Sequence, residues 1–224
     1  MEHVKKFLRA CAPVLYYFGL ILLSEVILFG IFGIESEDDS RFMPVFLAAS
    51  FIGCAYVVFK NRKELKEQFK DFKKNLKNYS ATAFKNWLMG YFLMIAANLI
   101  IVGLLKGVSA NEQAARDMIG ISLFYTGIYT CFLAPLSEEI LFRMNFKGVF
   151  KDDKTFLWGT SLMFGAMHVV SPSMTFSSLL YIFPYMILGY FFGKAYIETD
   201  NIYSGILAHM TQNILSLMII LFLT

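Results

Sequence analysis

The sequence predicts an all-α, polytopic transmembrane bundle. Of its 224 residues, 57% are hydrophobic and only 17% are charged, whereas a soluble domain carries nearer a quarter charged residues. Mean hydropathy is +0.57. The apolar residues fall into runs close to the roughly 20 that a helix needs to cross the hydrocarbon. Seven such runs, read as seven or eight spanning helices, cover Ala12–Ile34, Phe42–Phe59, Thr82–Leu105, Met118–Phe150, Thr155–Val170, Phe176–Ile197 and Ile202–Leu223.

The first run is longer than a signal-peptide core and is followed by no small-residue cleavage site, so it is expected to remain as a spanning helix. Lys5, Lys6 and Arg9 before it place the N-terminus in the cytoplasm, and the acidic loop after it outside. Between the second and third runs, Asn61–Ser80 is rich in Lys and belongs inside. Leu65, Phe69, Phe72 and Leu76 recur there at helical spacing, which predicts an amphipathic interfacial helix on an anionic inner leaflet. The Asn111–Arg116 stretch (NEQAAR) predicts a second, shorter interfacial helix.

The fourth run is long enough to pass beyond the hydrocarbon, and Pro135 inside it predicts a kink or opened carbonyls. The fifth is short and depends on its neighbours. In the sixth, Pro184 predicts a second kink, and Gly189 with Gly193 predicts close helix packing. Glu25 and Asn98 read as interhelical hydrogen-bonding groups. Cys11, Cys54 and Cys131 read as core thiols without a disulfide or metal framework. Residues 1–117 thus form the N-terminal helices with the Lys-rich linker, and 118–224 the expected catalytic core. The net charge of +3 is small and sits beside apolar segments, which excludes a nucleic-acid partner.

Chemistry concentrates in Cys131–Phe150. Glu138 and Glu139 sit in an otherwise apolar run with Arg143, and ionisable residues at membrane depth are costly and usually functional. At about 100° per residue, Glu139 and Arg143 project within roughly 40° of each other, so they pair. Glu138 lies on another face without a local cation, as a candidate general base. The plainer alternative is that both carboxylates are structural, satisfied by Arg143, Ser137 and the backbone.

His168 and His209 each lie inside an apolar helix, and His3 at the terminus is discounted. Counted from a turn near Asp152, Glu138 and His168 are both roughly 20–25 Å along their helices at about 1.5 Å per residue, hence level. His209 follows the turn at Asp200, with Asn213 one turn later on the same face. Glu138, His168, His209 and Asn213 are expected to meet in a cavity that opens to the cytoplasm. Such a set supports activation of water by Glu138 and His168, with His209 and Asn213 donating to an oxyanion. Equally, Glu138, His168 and His209 could hold Zn²⁺ with water as fourth ligand. No metal is committed: there is no H-E-x-x-H, and no G-x-S-x-G or Ser/Lys dyad suggests a serine protease.

EEILFR at Glu138–Arg143, FGAMH at Phe164–His168 and HMTQN at His209–Asn213 resemble the E-E-x-x-x-R, F-x-x-x-H and H-x-x-x-N motifs of the CAAX protease and bacteriocin-processing family. That family includes the Ras-converting type of prenyl protease. The resemblance spans about Met118–Ser216 and implies an intramembrane endopeptidase. Glu138 and His168 would activate water, His209 and Asn213 would serve the oxyanion, and Glu139, Arg143 and Phe164 would support them. Members are often labelled metalloproteases, and a metal-independent glutamate mechanism has also been argued. Met144 stands where a small residue is frequent. The resemblance further implies a peptide or protein substrate and a multi-pass place in a bacterial plasma membrane. Two rivals remain: a non-catalytic bacteriocin-immunity or scaffold protein, and a small proton-coupled transporter, which the lack of internal repeats disfavours.

Overall fold

A computed structural model describes residues 2–170 and 175–223. In lipid each backbone N–H and C=O must find a partner within the protein, and helices achieve this within one segment. The described residues accordingly contain helices and no strand. In order these are α1 (Glu2–Phe32), α2 (Phe42–Lys60), α3 (Arg62–Lys74), α4 (Leu76–Leu105), α5 (Ala110–Ile121), α6 (Leu123–Ile128), α7 (Ala134–Glu139), α8 (Asp153–Val169), α9 (Ile182–Thr199) and α10 (Ile202–Leu223). A polytopic helical bundle is therefore the fold.

Five helical stretches among the described residues are long and apolar enough to cross a membrane: Val4–Phe32, Phe42–Lys60, Leu76–Leu105, Ser177–Thr199 and Ile202–Phe222. The other two runs differ for local reasons. α8 has 17 residues. The long fourth run is broken into α6 and α7, with π-helical turns at Tyr129–Leu133 and Ile140–Met144. α1 begins at Glu2, well before Ala12, because good helix formers such as Lys5, Lys6 and Arg9 continue it past the apolar part. The NEQAAR stretch forms α5, where the Ser109 hydroxyl accepts from the Glu112 N–H at 3.1 Å and so caps the first turn.

α9 lies at the centre, packed against α4, α8 and α10. Glycines permit its approach to α8. A Cβ on Gly165 would come within 2.8 Å of the Ile182 carbonyl oxygen. The Gly189 and Gly193 positions answer the expectation of close packing with an added reason. Cβ atoms there would meet the Arg143 guanidinium at 3.1 and 3.3 Å, so both glycines make room for a buried cation.

The prolines behave differently from each other. Pro135 follows directly on a π turn, where the irregularity was expected. Pro184 stands just after a change from 3₁₀ to α geometry. It is the third residue of α9, after a 3₁₀ turn at Ser177–Tyr181, where its missing N–H would have had no intrahelical acceptor. Asn98 is also corrected: its amide donates to Met94 Sδ in its own helix at 2.9 Å. Glu25 makes no hydrogen bond among the described residues, so neither residue bridges helices.

The Lys-rich linker is helical as α3, and its apolar side is shared: Phe69 and Leu76 stay exposed while part of the face seats on protein. Leu65 is buried, and Phe69 and Phe72 pack on Tyr203 with ring centroids 5.3 and 5.9 Å away. Gln68 Oε1 accepts from the Ile202 N–H at 2.6 Å, which satisfies a first-turn donor of α10, and Asn201 Nδ2 donates to Gln68 O at 2.7 Å. Lys6, Arg9, Lys60 and Lys147 border one pocket, and Lys147 pairs with Asp200. The segments read as lying on one side therefore gather at one end of the bundle.

Gly165→Ala should destabilise the protein by about 1–3 kcal/mol, because the Ile182 backbone must move. Gly103, with nothing within 4 Å of its Cβ position, should accept alanine with a change within about 1 kcal/mol. Midpoints of denaturant unfolding in mixed micelles check both.

Candidate active site

The site begins with a missing donor. In the first π turn the Ala134 N–H reaches back to Tyr129 O. By the same π register, Thr130 O would await the N–H of residue 135, which is proline and has none. Asn213 supplies the donor instead: its Nδ2 lies 2.8 Å from Thr130 O. The opened carbonyl expected beside Pro135 thus anchors a motif residue of α10.

One helical turn on, Glu139 and Arg143 are both fully buried, with Oε2 and Nε 3.7 Å apart, as their spacing predicts. Arg143 Nη2 donates to Gly189 O at 2.9 Å, and its guanidinium lies 5.1 Å from the Phe164 ring centroid. Glu139 has a second partner that the sequence did not suggest. Its Oε1 accepts from His209 Nδ1 at 3.1 Å. Glu139 therefore joins Arg143 to His209, and a Cβ at Gly205 would stand 3.2 Å from its Oε2.

Glu138 turns the other way, as expected. Its Oε2 is buried without a hydrogen-bond partner and lies 3.8 Å from His168 Nε2. That is too long for a direct hydrogen bond. His168 Nδ1 lies 2.8 Å from Phe164 O. A carbonyl only accepts, so Nδ1 carries the proton and Nε2 of the neutral ring presents a lone pair to Glu138. Phe164 separates the two imidazoles, with centroids 4.4 Å from His168 and 5.4 Å from His209. Tyr185 stacks on the other face of His168 at 4.6 Å, and Phe192 on His209 at 4.6 Å.

A cavity of about 440 Å³ lies against these groups, and its walls include Phe164, His168, Tyr185, His209 and Asn213. Glu138 is not on that wall; it stands beside His168. The expected convergence is thus resolved into two pairs, Glu138 with His168 and His209 with Asn213, divided by Phe164. The direction of opening also differs from expectation. Ser109, Glu112 and Arg116 of the α5 region border the cavity, together with Ile219 and Ile220 near the end of α10. These lie at the opposite end of α4 and α10 from the Lys-rich α3, so the cavity does not open at the basic end.

Among the described residues, no three His, Cys, Asp or Glu side chains form a group suited to a metal ion. His168 and His209 spend Nδ1 on Phe164 O and Glu139 and keep Nε2 available, but among the described residues Glu138, His168 and His209 do not gather around one point as a zinc triad requires.

Tyr185, Thr130 and Phe192 escaped the sequence reading. Only Thr130 left a signal there, through the register of Pro135. Tyr185 also ties the cavity rim, since its hydroxyl is 2.7 Å from Ser109 Oγ.

With this geometry in place, comparison with known proteins bears on all three motifs. Residues 120–215 match the family described as type II CAAX prenyl endopeptidase Rce1-like. This segment carries an Rce1-like domain. The family resemblance of the three motifs is therefore shown, for a family of membrane proteases. A protein of Mycoplasma capricolum described as uncharacterized is 28% identical over 222 residues, covering 92% of this chain and 64% of its own length. The UPF0177 protein YxdF of Lactococcus lactis is 26% identical over 149 residues, covering 63% of this chain and 80% of that protein. The chain thus spans less than two thirds of the Mycoplasma relative. No solved structure matches. The Rce1-like segment contains Glu138, Glu139, Arg143, Phe164, His168, His209 and Asn213.

Arg143→Met should destabilise the fold by about 3–5 kcal/mol, because it strands the Glu139 carboxylate among apolar groups. The double change Glu139→Gln with Arg143→Met should recover part of that loss. Unfolding midpoints of the purified protein in mixed micelles read both.

Proposed function

We propose that the protein is an intramembrane endopeptidase that hydrolyses a peptide bond with water activated by Glu138 and His168. The observation that carries this reading is the buried, unpartnered Glu138 Oε2 facing His168 Nε2 at 3.8 Å. Two acceptors aimed at one point favour a donor between or beside them, and water is the smallest. A proton passes from water to this pair as the water oxygen attacks the carbonyl carbon. His209, held by Glu139 through Nδ1, presents Nε2 on the cavity side. With both nitrogens protonated it donates there to the developing oxyanion, and Glu139 stabilises that charge. Asn213 keeps one amide hydrogen on Thr130 O and offers the other. The proton held by Glu138 and His168 then passes to the leaving amine.

The substrate is a peptide or membrane-associated protein whose extended chain enters the cavity. If the basic end is cytoplasmic, as the positive-inside rule directs, the chain enters from the opposite leaflet. Asn111→Cys in a background free of Cys11, Cys54 and Cys131 should then react with a membrane-impermeant maleimide in intact cells. Lys63→Cys should react only after permeabilisation, and the reverse pattern would invert the orientation.

The reaction is tested with the full chain in vesicles and a pool of quenched-fluorescence peptides, with products read by mass spectrometry. Glu138→Gln and His168→Ala should each lower kcat/KM by about 10²–10⁴-fold. Asn213→Ala should lower kcat by about 10²–10³-fold. Undiminished cleavage by correctly folded Glu138→Gln would remove Glu138 from the mechanism.

A further inference from the structure

A second pocket, of about 410 Å³, lies at the basic end, between the start of α1, the end of α2 and the turn that follows Met144. Lys6, Arg9, Lys60, Asn145 and Lys147 line it. Lys147 is engaged with Asp200 and lies 5.0 Å from the Tyr196 ring centroid. Lys6, Arg9 and Lys60 have no ion-pair partner among the described residues, and the Lys60 ammonium lies 5.9 Å from the Tyr56 ring centroid. Asn145 Nδ2 is buried here and has no hydrogen-bond partner. Gly148 adopts φ +77°, a left-handed conformation that favours glycine and turns the chain around the pocket.

Three cations without acids and an orphaned amide donor around one concavity call for a compact anion with several acceptor oxygens. We propose that this pocket binds a phosphate group, supplied by the headgroup of an anionic phospholipid. The first turns of α1 favour a lipid over free phosphate. Tyr16 lies two turns beyond Arg9 on the same face of α1 and is exposed, so acyl chains can lie along the helix whose cations hold the headgroup.

The test uses the full-length protein in detergent and native mass spectrometry, with dioctanoyl phosphatidylglycerol, dioctanoyl phosphatidylcholine or inorganic phosphate as probes. One phosphatidylglycerol should be retained per chain, in preference to phosphatidylcholine. The Arg9→Gln/Lys60→Gln variant should bind it about 30-fold more weakly, the product of about fivefold per cation. Asn145→Ala, which removes no charge, should weaken it several-fold with an unchanged unfolding midpoint. Lys70→Gln/Lys73→Gln on α3 should leave binding intact. Inorganic phosphate bound with the same sensitivities, while phosphatidylglycerol is not retained, would assign the site to free phosphate. Equal retention by the Arg9/Lys60 variant, an equal loss in the α3 variant, or no retention of either probe would overturn the proposal.

Discussion

The fully buried Glu139 carboxylate, held between Arg143 and His209, is the constraint on which the rest of the structure depends. Two ions taken out of water together cost more than their attraction returns unless other groups complete their shells. The core completes those shells in part: Glu139 Oε1 and Arg143 Nη2 are hydrogen-bonded, while Glu139 Oε2 and Arg143 Nε and Nη1 have no hydrogen-bond partner and rely on their mutual attraction. Gly189 gives its carbonyl to Arg143 and, lacking a Cβ, leaves space for it. Gly193 and Gly205 clear the remaining approaches. Phe164 lies beside the guanidinium. Three helices are thereby held in register around one pair, and each carries a residue of the candidate site. Glu139 also occupies His209 Nδ1, which leaves Nε2 of that ring unengaged.

What the sequence revealed and what it concealed divide along the same physical line. Local periodicity carried the helices, the Glu139–Arg143 pairing and the opposite facing of Glu138, because these follow from 3.6 residues per turn. The level placement of Glu138 and His168 was legible because a hairpin fixes depth by counting. The second partner of Glu139 was not legible, since α10 meets α7 only through tertiary packing and no spacing reports it. Tyr185 was hidden for the same reason. The 3₁₀ turn before Pro184 was not legible, because apolar composition does not say where within Phe176–Ile197 the α-helix begins. The seating of α3 on Tyr203 was concealed too, since an amphipathic face reads alike whether it meets lipid or protein.

The direction of the cavity shows how a correct local reading can mislead. Counting residues from Asp152 places Glu138 and His168 deep along their helices, but depth does not say which end is open. That is decided by what covers each end. At the basic end α3 is fastened over the α9–α10 corner by Gln68, Asn201 and Tyr203. At the other end the short α5 borders the cavity, and the residues before it are tied through Ser109 to Tyr185 and through Gly107 O to Tyr181. α5 contributes no buried residue of its own.

Pro135 connects these strands of the argument. A helix that crosses lipid has every carbonyl committed, and a motif that must reach across to a neighbouring helix needs one released. Proline releases it without exposing it, because the π turn moves the Ala134 N–H to Tyr129 and leaves Thr130 O facing α10. Asn213 then takes a side-chain-to-backbone bond whose geometry is set by the broken helix and not by a mobile partner. Were residue 135 any other amino acid, its N–H would share Thr130 O with Asn213, and the carbonyl would no longer be turned to α10 alone. The flaw in the helix and the order in the site are therefore one feature.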